Sequence, residues 1–111
     1  MSMLSIGKVT VTTAGAIVRA TVNQANPAAQ VSCQSISIQA LSSNAGKIYV
    51  GISTLNKSTL VGCLGILAVP TANGLPAYVV SSASIAGVNA ADFWLDADNS
   101  GEGVLIGVFV A

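Results

Sequence analysis

The side chains best suited to chemistry in this sequence are four carboxylates, two thiols and one adjacent aromatic pair, with no histidine to accompany them. Asp92, Asp96, Asp98 and Glu102 would be the raw material for glycoside hydrolysis, which sets two carboxyl groups about 5–10 Å apart across the scissile bond. They crowd into one short stretch, however, where a turn rather than a cleft is expected, so no enzyme is predicted and no catalytic residue is nominated. Asp96-Ala97-Asp98-Asn99-Ser100-Gly101-Glu102-Gly103 begins like a calcium loop, with oxygen side chains at alternate positions and a glycine sixth. The twelfth position, where a bidentate Glu belongs, is Gly107, and no helical flank is readable. The stretch is expected to be a polar hairpin turn between two strands, with Asp and Asn as turn formers and Gly supplying positive φ. Cys33 and Cys63 cannot make a standard zinc site without further ligands. As nucleophiles they lack a base. They read as buried free thiols, or as a disulfide if the compartment is oxidising. Neither a metal nor a cofactor is predicted.

Phe93-Trp94 places neighbouring aromatics on opposite faces of a strand. One is expected to fill the core and the other to lie exposed or in an interface, where Trp is enriched.

The elements that must position these residues read as strands. The stretch 35–53 carries two alternating runs, with Ile36, Ile38 and Ala40 on one face, then Ile48, Val50 and Ile52, separated by Ser42-Ser43-Asn44-Ala45-Gly46. Period-two alternation around such a segment predicts a half-buried β-hairpin. Val9, Val11 and Thr13 predict a first strand that Gly15 ends, and 16–22 a second with Ala16, Val18, Ala20 and Val22 on one side. Residues 23–30 form a loop around Pro27, and 55–59 another. The apolar run from Cys63 to Val69 predicts a strand buried on both faces. Residues 70–76 turn the chain, 77–85 form a strand, 87–91 hold one short helical turn, and 103–110 close the sheet. The expected fold is all-β, a single antiparallel β-sandwich or jelly-roll of about eight short strands. Residues 1–7 form an N-terminal arm and 8–111 the β-sandwich domain.

Composition narrows the role. Only 7% of the 111 residues are charged and 52% are hydrophobic, against roughly 25% charged in an ordinary soluble domain. So little charge leaves a lone molecule poorly protected from self-association, and a surface covered by copies of itself or by a larger assembly is expected. Four basic residues balance four acidic ones, so there is no basic field for phosphates, and nucleic-acid binding is not expected. No membrane span is expected either. The apolar stretch 60–69 stops at Pro70, well short of the roughly 18–20 residues a spanning helix needs. No signal peptide is readable in the first residues.

Thr13-Ala14-Gly15, Cys33, Ile38-Gln39-Ala40, the set Asn44, Gly46, Ile48, Tyr49, Val50 and Gly51, then Asp96-Ala97-Asp98 and Gly101-Glu102-Gly103-Val104 form a pattern that resembles a family of small virion structural proteins of tailed bacteriophages. The likeness covers most of the chain. Residues 57–80 depart from it, being longer and more apolar than the short loop the family has there. The resemblance implies a β-sandwich that acts as a capsid decoration (cement) protein, often a homotrimer, bridging and stabilising major capsid subunits. It implies a place on the capsid surface of a virion assembled in the host cytoplasm. The interface residues this suggests are Phe93 or Trp94 as anchor, and Met1, Met3, Leu4 and Ile6 of the arm as a clasp. The alternative is a tail- or fibre-associated binding module recognising a host glycan or receptor. A secreted or envelope β-domain with a Cys33–Cys63 disulfide is a third reading.

Overall fold

A computed structural model describes residues 2–28, 31–81 and 88–110. It contains ten strands: β1 (Ser2–Val11), β2 (Val18–Arg19), β3 (Ser32–Cys33), β4 (Ser35–Ala40), β5 (Ile48–Gly51), β6 (Cys63–Leu67), β7 (Ala77–Ser81), β8 (Val88–Asn89), β9 (Trp94–Ala97) and β10 (Glu102–Val110). A single 3-10 turn, Ala90–Asp92, precedes β9 and is capped by the Asn89 side chain. One four-stranded sheet has the order β1-β10-β4-β7, a second the order β2-β9-β5-β6, and β3 and β8 form a two-stranded ribbon. All strand pairs are antiparallel. The fold is all-β as expected, with more strands than the predicted eight, and β1 and β10 are long rather than short.

Both four-stranded sheets feed one core. Val9, Val11, Ile36, Ile38, Val104, Ile106 and Val108 come from the first, and Ile48, Val50, Leu95 and Ala97 from the second. The Cα radius of gyration, 13.1 Å, is what one domain of this length has (about 13 Å). Burying these side chains supplies the main drive for folding.

The predicted hairpin over 35–53 does not form. β4 pairs with β10 and β7, while β5 pairs with β6 and β9, so the segment crosses from one sheet to the other. The same correction applies to the turn after Asp96, which joins β9 in the second sheet to β10 in the first. Alternation specifies which face of a strand is buried, not which strand lies beside it. A crossing connection and a hairpin bury the same residues.

The expected arm is strand from Ser2 onward, paired with β10, with an irregularity between Ser5 and Gly7. The sequence explains it. Leu4 and Ile6 fall on even positions and Val9 and Val11 on odd ones, so one extra residue is needed to keep all four on one face. Gly7, at φ +88°, absorbs it. The phase change is also why the apolar pattern seems to break at Gly7.

Two further expectations fail for lack of a covering layer or of length. The 63–69 run forms β6 at the edge of its sheet, with Leu64 and Ile66 exposed and only Leu67 buried. The expected strand over 16–22 shrinks to β2; Ala20 and Thr21 are both buried while Val22 is exposed, because the chain leaves extended pairing there. The Thr21 hydroxyl donates to the Pro27 carbonyl and closes the following loop on itself. Residues 82–85 of the expected strand 77–85, and Gly87 of the helical turn, lie outside the described residues. No helix among the described residues is long and apolar enough to cross a membrane.

The β6 and β7 edges of the two sheets pack together. The Tyr78 ring of β7 lies where a side chain at Gly65 would stand. Gly103 has a comparable role in β10, since a Cβ there would overlap the Val9 carbonyl. Gly103→Ala is therefore expected to lower stability by about 1–3 kcal/mol or more in urea unfolding. Gly107→Ala, with nothing within 4 Å of its Cβ, should stay within about 0.5 kcal/mol. Equal effects at the two positions would remove the packing argument.

Candidate functional site

The acidic stretch that sequence singles out is consumed by the fold. The Glu102 carboxylate accepts from the amides of Ala45 (2.5 Å) and Gly46 (2.9 Å), and from the Asn99 side chain at 3.3 Å. Those backbone donors hold its pKa below the ordinary carboxylate value, against a smaller opposing effect of burial. Asp98 accepts from the Lys47 amide and the Tyr49 hydroxyl. Burial first, and this bond second, push the Tyr49 pKa up. Asp96 is buried, its Oδ1 accepting from the amides of Gly15 (2.9 Å) and Ala97 (2.8 Å). Asn44 completes the corner: its side-chain amide donates to the Gly103 carbonyl at 2.8 Å and accepts from the Gly103 amide at 3.2 Å.

These contacts tie three connections together, 12–17, 41–47 and 98–101. Each carboxylate faces main-chain amides that no strand ladder pairs, and so gives them acceptors. Asp92 stands apart, exposed on the 3-10 turn. No group of three metal-ligating side chains is found among the described residues.

Both thiols are free. Cys33 is buried, and burial raises its pKa. Cys63 is half-buried rather than buried as expected, its thiol donating to the Gly65 carbonyl at 3.4 Å. An edge strand cannot cover it.

The aromatic pair divides as its alternation predicts. Phe93 is buried in the core and therefore cannot be a surface anchor. Trp94 is half-buried on the outer side of β9, with the Arg19 guanidinium 4.7 Å above its ring. Among the proposed clasp residues, Ile6 points into the core at 7% exposure, while Met3 and Leu4 are exposed. Met1 lies outside the described residues.

The register assembles a surface that sequence reasoning missed. On the outer side of the first sheet, Met3 faces Phe109 and Ser35. Ser5 faces Gly107, Ser37 and Val79, and Lys8 faces Leu105, Gln39 and Ala77. Met3 is 79% exposed, Val79 58%, Leu105 47% and Phe109 37%. The face carries these four exposed apolar side chains around Ser and Gly, with Gln39 at one end and Lys8 as the one charge in those rows. On the outer side of the second sheet the Gly15 amide donates to Asp96 and Lys57 donates to the Ala97 carbonyl at 2.7 Å, while Leu64 and Ile66 on the β6 edge stay exposed. The signal available beforehand was the alternation of Leu105, Gly107 and Phe109 with Val104, Ile106 and Val108 in β10. Continuous hydrophobicity hid it, since both faces of that strand are apolar.

Compared with family models, curated proteins and solved structures, the chain matches none.

The lowered pKa of Glu102 carries a pH dependence. Because the folded state favours its charged form, its contribution to stability is complete above the ordinary carboxylate range and is lost as pH falls through the lowered value. Glu102→Gln should therefore be less stable than the parent near neutrality, and the gap should narrow below about pH 4. Urea unfolding of both proteins across that range measures it. A gap independent of pH would contradict the role assigned to the carboxylate.

Proposed function

We propose that this chain is a structural virion protein, a capsid decoration (cement) protein that bridges and stabilises major capsid subunits. In this reading the two four-stranded sheets are the halves of one β-sandwich, an arrangement supported by their shared core. The protein works on the capsid surface as a homotrimer, added to virions in the host cytoplasm. The observation that carries the reading is the bare outer side of the first sheet, where Met3, Leu105, Phe109 and Val79 surround small residues with one charge nearby. Large apolar side chains exposed together on one sheet face favour contact with another protein.

The mechanism follows from that face and its border. Apolar area buried against a shell subunit or a second copy contributes roughly 25 cal/mol per Å². β1 adds the unpaired main-chain groups of an edge strand, which can extend a neighbouring sheet. Met3 and Leu4 lie on that edge and keep the clasp role. Phe93 and Ile6 lose theirs, being core residues. Among the described residues, the carboxylates of the acidic corner are held by main-chain amides, which agrees with a protein that packs rather than reacts.

Val79→Lys combined with Leu105→Lys places two cations on the proposed contact without touching the core. The variant should fold with stability within about 1 kcal/mol of the parent, yet lose self-association in sedimentation and lose co-sedimentation with shells lacking the protein. Undiminished binding to shells would refute the reading.

A further inference from the structure

A separate feature lies on the second sheet, away from the apolar face. Arg19, Trp94, Ile52, Ser53, Ala91 and Asp92 line a cavity of about 320 Å³. Arg19 and Trp94 are register partners on β2 and β9, which sets the guanidinium over the indole. Stacking of this kind holds the planar fork in one orientation, ready for a bidentate acceptor. Among the described residues the Arg19 Nε is buried with no hydrogen-bond partner. A buried donor left unpaired is costly, and its side chain lines the cavity.

We propose that this cavity binds one acidic saccharide residue, such as a uronic acid, with Arg19 receiving the carboxylate. The assignment rests on the cavity alone and stands or falls separately from the assembly reading. Its volume is at the low end for ligand sites, suited to one sugar ring rather than a folded partner. Arg19 supplies the charge-assisted fork for a carboxylate. Asp92 and Ser53 supply acceptors for hydroxyl donors, and Ile52, Ala91 and the indole supply an apolar wall. Asp92 decides the class. An acidic peptide offers this carboxylate only its main-chain N–H groups, at a distance from the acid, whereas a sugar acid carries several hydroxyl donors on the ring that bears its carboxylate.

Trp94 is the sole tryptophan of the chain, so its fluorescence reports on the cavity directly. Titration with the methyl glycoside of glucuronic acid should give a saturable change. Methyl glucoside, which lacks the carboxylate, and a blocked glutamate, which lacks the hydroxyls, should each bind roughly tenfold more weakly or not at all. Arg19→Lys, which keeps the charge and loses the fork, should weaken the uronide by roughly tenfold. Asp92→Asn should reduce the preference for the uronide over the blocked glutamate. Val79→Lys, on the other sheet, should leave the titration unchanged. Absence of a saturable change with the uronide overturns the proposal. So does equal binding of the neutral sugar, or equal binding of the blocked glutamate, which would hand the cavity to a peptide.

Discussion

The bond between Glu102 and the amides of Ala45 and Gly46, with the Asn44 clamp on Gly103 beside it, is the constraint on which the architecture depends. Two connections cross there between sheets, and neither has the ladder of a hairpin to satisfy its main chain. Glu102 gives the amides of Ala45 and Gly46 a fixed acceptor, and without Asn44 the buried main chain of Gly103 would lack partners, at about 1–3 kcal/mol. The carboxylates that look like chemistry in the sequence are the polar filling of a β-fold whose strands change layers.

This use of charge shapes the surface. Of eight charged residues, Asp96, Asp98, Glu102, Lys57 and Arg19 are committed to contacts within the molecule. Little remains to keep exposed apolar residues apart in solution, and the first sheet leaves Met3, Val79, Leu105 and Phe109 uncovered. The second sheet is indented at Arg19 and Trp94, while its edge strand β6 leaves Leu64 and Ile66 exposed as well. The uncovered apolar side chains support an assembly role and the indentation a small-ligand role.

Legibility in the sequence varied with what each residue pattern measures. Alternation located β4 and β5 because a strand with one dry side must alternate, while β10 was legible only as an apolar run. It also separated Phe93 from Trp94 correctly. It mistook 63–69 for a buried strand, because an apolar run reads the same whether both faces are covered by protein or one is left bare. It stopped β1 at Gly7, since a bulge that shifts the phase by one residue resembles the end of a strand. Arg19 was passed over as an ordinary strand residue; only pairing with β9 brings it over Trp94.

By itself the sequence determined the class of structure, much of the core and the scarcity of charge, because these follow from local period and composition. The tertiary structure alone decided which strands are neighbours, and hence that the apparent hairpins are crossings between sheets. It also decided that the acidic stretch is a staple and that one sheet stays bare. The reason is that pairing and covering are relations between segments distant in the chain, and a local pattern that buries one face is satisfied equally well by several partners.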